Sequence, residues 1–158
     1  MPKSLHEIYG NRVRVRACGV CVVENKILMV NHSGLTDGDF WAPPGGGLGM
    51  HETAHQAVER EFLEETNLKV KPGDLLFVTE YYKAPLHAIE LFFNVALVEG
   101  TLKKGLDPEM KPAAQAIVDV RFLSWGEIAG MDGRHLHGAF KFVSEPAKIL
   151  DLRGYIKL

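Results

Sequence analysis

The chain has 158 residues, of which 46% are hydrophobic and 24% are charged, and its formal net charge at pH 7 is −2. These values exclude a disordered or collagen-like chain, and the small net charge excludes a basic field that would recruit nucleic acid or an anionic membrane. We expect one domain spanning residues 1–158. The sequence has two cysteines, no signal-like N-terminus and no apolar stretch approaching roughly 18 residues, so we expect a cytoplasmic protein without a membrane span.

The N-terminal part of the chain has the pattern of a strand pair. Residues 13–17 alternate between apolar side chains and arginine, which predicts a half-buried strand, and the apolar run 19–23 extends it. Residues 24–26 predict a turn that leads into a second strand at 27–30. The polar stretch 31–39 predicts a surface loop.

The clearest helix is predicted over residues 53–66. Thr53 and Gln56 have the spacing of a capping box, in which each side chain satisfies a backbone N–H at the start of the helix. Asn67 follows the last turn, where a residue in the left-handed conformation is common. The helix therefore has both a start and a stop signal.

The second half of the chain is predicted to be mainly strands. Pro72 and Gly73 predict a break in the chain before the first of them. The predicted elements are strands at 75–82, 87–98 and 117–123, a long loop at 99–115, a short helix after a Ser124–Glu127 capping box, a loop at 130–138 and a packing tail over the last twenty residues. Because strands outnumber helices and separate them, we predict an α+β layered domain.

The predicted helix carries acidic residues on its apolar side. At about 100° per residue, Glu61 and Glu65 fall within the arc of Ala57 and Phe62, whereas Leu63 falls opposite. Burying either acid unpaired would cost several kcal/mol. No lysine or arginine lies on this arc, and Arg60 points away from it on the wheel. We therefore predict that a hard divalent cation, Mg²⁺ or Mn²⁺, neutralises the acids.

A glycine run precedes this helix. Gly45, Gly46 and Gly47 follow two prolines, and such a run lets the backbone approach a ligand closely. A helix N-terminus also favours anions. Together with the carboxylates, the run indicates a phosphate ester bridged to the protein by metal.

The spacing of these residues resembles the Nudix box, written G-x5-E-x7-R-E-U-x-E-E-x-G-U with U a bulky apolar residue. The match covers residues 46–68, and eight of the nine defined positions agree. The exception is Asn67, which stands where glycine is usual and which also tolerates a positive φ. The resemblance implies a Nudix-like α/β/α sandwich with a central mixed β-sheet.

The resemblance also implies a function, the hydrolysis of a nucleoside diphosphate linked to another moiety. A nucleotide sugar, an ADP-ribose-like compound and a nucleoside triphosphate are all substrates of this kind. The family positions that bind Mg²⁺ or Mn²⁺ correspond to Glu61, Glu64 and Glu65, with the backbone carbonyl of Gly45 as an additional ligand. Glu52 and Arg60 match a pair that braces the loop on the helix, and a bidentate arginine–carboxylate contact is suitably rigid.

The residue that takes a proton from the attacking water is left open by the sequence. Family members use either an acid of the box, here Glu61 or Glu64, or an acid of a later loop. Glu109, in the predicted loop 99–115, is our first candidate outside the box, ahead of Asp107 and Asp119. Many relatives carry a glutamate just before the strand that follows this loop, where the present chain has glutamine and alanine.

The substrate contacts are predicted at four residues. Gly46 and Gly47 would approach the phosphates, and Trp41 and Tyr81 are candidates for stacking on a nucleobase, although an aromatic residue beside a turn is also typical of a core. Pro85 lies one residue from the spacing that marks ADP-ribose hydrolases. We expect a small-molecule partner and allow for a homodimer.

Two other functions compete with this interpretation. His51 and His55 form an H-E-x-x-H motif, the signature of zinc proteases, but the predicted start of the helix places His51 before it. Some Nudix-like domains bind nucleotides without cleaving them, yet such domains often lose box acids, which are present here. We therefore favour an enzyme.

A pair of cysteines and a pair of histidines also have spacings that occur in metal sites. Cys18 and Cys21 form a C-x-x-C motif, but on a strand their spacing sends the two thiols to opposite faces, so we predict buried structural cysteines. His135 and His137 share an H-x-H spacing in a glycine-containing loop, and we predict that they are surface or substrate-proximal residues.

Overall fold

The computed structural model describes residues 3–34, 36–105 and 116–158. The helices are α1 (Leu5–Tyr9), α2 (Ala54–Thr66) and α3 (Trp125–Ala129), and short 3₁₀ helices lie at Gly133–His135, Gly138–Phe142 and Pro146–Asp151. The strands are β1 (Arg14–Val23), β2 (Lys26–Ser33), β3 (Trp41–Ala42), β4 (Gly45–Gly47), β5 (Lys69–Lys83), β6 (Leu86–Glu99), β7 (Ala116–Ser124) and β8 (Gly154–Lys157).

The strands form one mixed sheet in the order β3-β2-β1-β6-β5-β8, with β4 paired to β1 and β7 paired to β2. The β1–β6 and β5–β8 pairs are parallel, and the other pairs are antiparallel. The predicted central mixed sheet is therefore confirmed.

The two faces of the sheet are covered by different layers. On one face, Phe62 of α2 is fully buried and packs in a cluster with Phe93 and Val95 of β6. On the other face, Phe77 and Phe92 stack with ring centroids 4.6 Å apart, in a cluster that includes residues of α3 and the C-terminal 3₁₀ helices. This arrangement confirms the predicted α/β/α sandwich.

The predicted local signals are present at both ends of α2 and in the first hairpin. Thr53 and Gln56 form a complete capping box, and Asn67 has a φ of 63°. Glu24 and Asn25 also have positive φ values, as a tight turn between two antiparallel strands requires. The strand pair β1–β2 closes on this turn through the pair Val23 and Lys26.

The predicted chain break at Pro72 and Gly73 is wrong. Strand β5 continues through both residues, with shifts in register between Pro72 and Leu75 that interrupt the ladder with β6. Proline is tolerated at bulges and where one side of a strand has no partner. The pairing of β5 with β8 spans only Phe77–Glu80, so the proline sits beyond it.

The C-terminal segment is more regular than predicted. Ile149 is buried in the core, and Gly154–Lys157 adds a parallel strand beside β5. By contrast, most of the predicted loop 99–115, including Asp107 and Glu109, lies outside the described residues. Within the described ranges, no helix is long and apolar enough to cross a membrane.

The packing of α2 on the sheet can be tested at Gly19. A Cβ atom here would lie 2.5 Å from Val95 Cγ2 and 2.6 Å from Phe62 Cε2. Because overpacking a core forces neighbours to move, we expect Gly19→Ala to lower the free energy of unfolding by about 1–3 kcal/mol, measured by urea denaturation.

The matched control is Gly126→Ala in α3, where an added Cβ would lie 3.9 Å from Ser124 Oγ, an ordinary van der Waals contact. This variant should be as stable as the parent protein or slightly more so. Equal stability of Gly19→Ala and the parent protein would contradict the described packing.

Candidate active site

The site is built around the glycine strand β4. Gly45, Gly46 and Gly47 pair with Cys18, Ala17 and Arg16 of β1, respectively. A Cβ at Gly46 would collide with the carboxylate of Glu61 on α2, and a Cβ at Gly45 would lie 2.6 Å from the carbonyl oxygen of Ala17. The glycines therefore allow the helix carboxylates and strand β1 to approach β4 from opposite sides.

The two acids on the apolar side of α2 are buried, as the helical wheel predicts. Glu61 is 3% exposed and Glu65 is 1% exposed, whereas Leu63 is 57% exposed. The backbone N–H of Gly45 donates a hydrogen bond to Glu65 Oε1 over 2.9 Å. Both carboxylates are thus positioned against the glycine strand.

The prediction that no cation reaches these acids is wrong. Arg60 Nη1 donates to Glu61 Oε1 over 2.8 Å and to Glu64 Oε2 over 3.3 Å. A helical wheel gives only the direction in which a side chain leaves the backbone, and the long arginine stem folds back over the neighbouring positions. Glu61, one of the two buried acids, therefore has a cationic partner within its own helix.

Arg60 also ties the helix to the preceding loop. Its Nε and Nη2 donate to the two carboxylate oxygens of Glu52 over 3.1 and 2.8 Å, and Nη2 also donates to the carbonyl of Gly47. Glu52 Oε1 accepts a further hydrogen bond from the Gly49 N–H. The hydrogen bonds between these side chains raise the pKa of Arg60 and lower the pKa of Glu52. The two residues that the resemblance pairs are in bidentate contact.

A cavity of about 540 Å³ opens beside the glycine strand. It is lined by all three glycines, by Glu61, by the cations Arg14 and Arg16, and by the aromatic rings of Tyr9, Phe40 and Phe92. His32 also lines it, and burial together with the nearby Arg16 lowers the pKa of this imidazole to about 4. The volume and the mixed lining are typical of a site for a small organic ligand.

The predicted substrate contacts divide between the cavity and the core. Gly46, Gly47 and Tyr81 line the cavity. Trp41 does not, because the residue is only 6% exposed and packs in the core cluster with Met29. The stacking role predicted for Trp41 is therefore not supported, since β3 turns this side chain into the interior.

The donors around β4 have the chemistry that a hard cation requires. The carboxylates of Glu61 and Glu65 and the carbonyl of Gly45 offer oxygen ligands, which Mg²⁺ and Mn²⁺ prefer. Glu64 is half-buried and shares Arg60 Nη1 with Glu61. In the described part of the chain, however, no three His, Cys, Asp or Glu side chains already converge on one metal-sized position. The residues therefore fit a divalent cation in their chemistry, and the arginine supplies positive charge beside them.

A buried polar cluster lies on the cavity side of the sheet, and no motif in the sequence predicts it. Glu90 is 7% exposed; its Oε1 contacts His137 Nε2 at 2.7 Å, and its Oε2 lies 3.7 Å from Arg16 Nη1. Burial raises the pKa of Glu90, but His137 and Arg16 outweigh this effect and lower it overall. Glu90 alternates with apolar residues of β6, so from sequence it has the pattern of a solvent-facing position. The residues next to Glu90 in sequence do not indicate that the C-terminal segment covers its side chain.

The H-E-x-x-H and C-x-x-C motifs have positions that fit a structural role. His51 has a φ of 68° in the turn before α2, and His55 Nε2 lies 3.0 Å from the carbonyl of Gly73. Cys18 and Cys21 are free, buried and assigned to the clusters on opposite faces of the sheet. Burial raises the pKa of Cys21 to about 11. These positions give no support to a zinc protease or to a redox pair.

Comparisons with known proteins agree with this architecture. A model described as the NUDIX domain matches residues 11–145. An ADP-ribose pyrophosphatase from Methanocaldococcus jannaschii is 35% identical over 94 residues, which are 56% of this chain and 54% of that protein. An RNA pyrophosphohydrolase from Histophilus somni is 35% identical over 69 residues, 42% of this chain and 34% of that protein. These matches span about half and about a third of the two relatives.

Solved structures give the same fold. A structure described as a NUDIX hydrolase from Nitrosomonas europaea superposes with a TM-score of 0.66 and 24% sequence identity. The superposition covers 78% of this chain and 80% of that chain.

The close approach between α2 and β4 can be tested at Gly46. A methyl group at this position would displace the Glu61 carboxylate, so we expect Gly46→Ala to lower the free energy of unfolding by about 1–3 kcal/mol. The measurement is urea denaturation in the presence of EDTA. Gly130→Ala is the control, because its added Cβ would lie 3.6 Å from the carbonyl oxygen of Gly126, an ordinary van der Waals contact. Matching stabilities for the two variants would show that Glu61 does not pack against β4 as described.

Proposed function

Since this chain belongs to the NUDIX family, we propose that it is a divalent-metal-dependent hydrolase acting on the pyrophosphate linkage of a nucleoside diphosphate joined to a second moiety. The observation that carries this proposal is the position of the buried acids of α2. They contact a glycine strand that lines a cavity, and the same cavity is lined by Arg14 and Arg16. Acids that bind a cation and arginines that bind phosphate would then act on one substrate.

NUDIX hydrolases generally use divalent metal ions. In this chain we propose Glu61, Glu64, Glu65 and the carbonyl of Gly45 as the groups that hold Mg²⁺ or Mn²⁺. When bound, such an ion neutralises the pyrophosphate and lowers the pKa of water. Glu52 and Arg60 would keep the loop 45–53 fixed on the helix while substrate enters.

The protein's own contribution to the chemistry is a carboxylate that accepts a proton. As the oxygen of water forms a bond to phosphorus, its proton passes to this carboxylate, and the bond from phosphorus to the bridging oxygen breaks. We favour Glu64, since its side chain is 28% exposed whereas that of Glu61 is 4% exposed. Glu61 is the second candidate, and Glu109, outside the described residues, stays a prediction.

ADP-ribose is the first substrate to test. The Methanocaldococcus relative carries the name ADP-ribose pyrophosphatase, and the position of Pro85 lies close to that of a proline marking such enzymes. The cavity of about 540 Å³ is suited to a small molecule.

A cytoplasmic location is supported by the two buried, free cysteines, and homodimer formation stays a prediction.

The proposal predicts phosphate-ester products from ADP-ribose in the presence of Mg²⁺ or Mn²⁺. A screen would compare ADP-ribose, nucleotide sugars, nucleoside triphosphates and triphosphate-ended RNA. The measured quantity is the phosphate that alkaline phosphatase releases from the products. ADP-ribose should be cleaved fastest. A preference for RNA ends would contradict the small-molecule assignment, and binding of nucleotides without cleavage would favour a regulator.

The catalytic assignment predicts that Glu64→Gln lowers kcat by about 10²–10⁴-fold, because the amide cannot accept the proton. Glu59→Gln is the matched control, since Glu59 lies exposed on the same helix; its kcat should equal that of the parent. Circular dichroism should show both variants folded. If Glu64→Gln and Glu61→Gln both retained full hydrolysis in Mg²⁺, the assigned mechanism would be wrong.

A further inference from the structure

Three polar residues form a row across the cavity face of the sheet. Arg16 of β1 is in register with Glu90 of β6, and Glu90 is in register with Thr79 of β5. Side chains at paired positions on one face of a sheet lie beside each other. The row ends at the glycine strand, because Arg16 also pairs with Gly47. It therefore connects the middle of the sheet to the candidate active site.

Arg16 has hydrogen-bonding capacity that its neighbours leave unused. Its Nη2 donates to the carbonyl of Gly45 over 3.2 Å, and its Nη1 lies 3.7 Å from Glu90 Oε2, which is an ion pair but too long for a hydrogen bond. Among the described residues, its buried Nε has no hydrogen-bond partner. About a quarter of the side chain is exposed, and it lines the cavity. A charged guanidinium in this state is suited to additional anionic oxygens.

Glu90, in contrast, is held firmly in place. Oε1 accepts from Thr79 Oγ1 over 3.2 Å and lies 2.7 Å from His137 Nε2. His137 Nδ1 accepts from the backbone N–H of Ala139, so the ring proton lies on Nε2 and is donated to Glu90. These contacts fix the other oxygen, Oε2, opposite Arg16. His137 also caps the 3₁₀ helix Gly138–Phe142, whose last two residues line the cavity.

A second arginine extends the cationic wall. Arg14 lies two residues before Arg16 on the same face of β1, and its guanidinium carbon lies 4.3 Å from the ring centroid of Tyr9. Two arginines therefore line one cavity whose other wall contains Gly45–Gly47. Since Arg16 touches Gly45, an anion bound to Arg16 would lie beside the acids of α2.

We propose that Arg16 binds the diphosphate of the substrate and that Glu90 and His137 are positioning residues that hold its guanidinium toward the cavity. This inference rests on the proposed function for the class of substrate, but it concerns binding and not cleavage. Arginine presents a planar fork of N–H groups that matches two phosphate oxygens. The C-terminal segment thus helps to organise the diphosphate site through His137 and Glu90.

The test is isothermal titration of ADP and of adenosine in EDTA, so that no hydrolysis enters the measurement. Replacing Arg16 removes the fork, so Arg16→Gln should raise the Kd for ADP by at least about tenfold. The Kd for adenosine should stay within about twofold, whereas general damage to the fold would weaken both ligands alike. Arg16→Lys, which keeps the charge, should also weaken ADP and provides the test if Arg16→Gln does not fold.

The positioning role is tested by Glu90→Gln. The amide oxygen can still accept from Thr79 and His137, but the amide nitrogen then faces Arg16 and repels it. We expect the Kd for ADP to rise by about three- to tenfold, with adenosine unchanged. Arg121→Gln is the control, because Arg121 pairs with Asp119 and does not line the cavity; its ADP affinity should equal that of the parent protein.

The inference would be overturned if Arg16→Gln and Arg16→Lys bound ADP within twofold of the parent protein. The same conclusion follows if the parent protein bound neither ADP nor inorganic pyrophosphate at millimolar concentrations. ADP binding lost in the variants without any hydrolysis by the parent protein would support the inference and contradict the proposed function. Hydrolysis by the parent protein with unchanged ADP binding in the variants would support the proposed function and contradict the inference.

Discussion

The close approach of helix α2 to the glycine strand β4 is the constraint on which the site depends. Glu61 lies where a side chain on Gly46 would have to be, and Glu65 accepts the N–H of Gly45. Because β4 carries no side chains, acids from one layer of the sandwich reach the edge of a cavity on the other face of the sheet. A side chain at Gly46 would displace Glu61 of the helix from this strand.

Burial of two carboxylates so close together requires opposite charge. Arg60 supplies it from the outer side, through contacts with Glu61, Glu64 and Glu52. Arg16 lies on the other side of the strand; although burial lowers its pKa, Glu90 and the nearby acids raise it overall. Glu61 therefore contacts Arg60 directly, and both buried acids lie near enough to Arg16 to raise its pKa. The positive charge offsets part of the cost of burying these carboxylates.

The parts of the fold that could be predicted are those with local causes. The capping box at Thr53, the left-handed Asn67 and the turn at Glu24 each follow from the preferences of a few adjacent residues. The burial of Glu61 and Glu65 followed from helical periodicity alone. The continuation of β5 through Pro72 could not be predicted, because it depends on how far β8 extends along its edge.

The missed features of the site have a common origin in distant contacts. An aromatic residue beside a turn can belong to a stacking site or to a core, and only the contacts of Trp41 with β2 and the C-terminal segment decide for the core. Glu90 and His137 are 47 residues apart in sequence, and Arg16 is still farther from either. The reach of Arg60 depends on side-chain length and not on helical angle. Contacts of this kind can be identified only in the folded structure.

The central claim is that the buried acids of α2 hold a divalent cation. The most direct measurement is the titration of Mn²⁺ into the parent protein and the double variant Glu61→Gln/Glu65→Gln, with free Mn²⁺ followed by electron paramagnetic resonance. The account predicts that the parent protein binds Mn²⁺ and that the double variant, which circular dichroism should show to be folded, binds it at least about tenfold more weakly. Equal affinity in the two proteins would contradict the account.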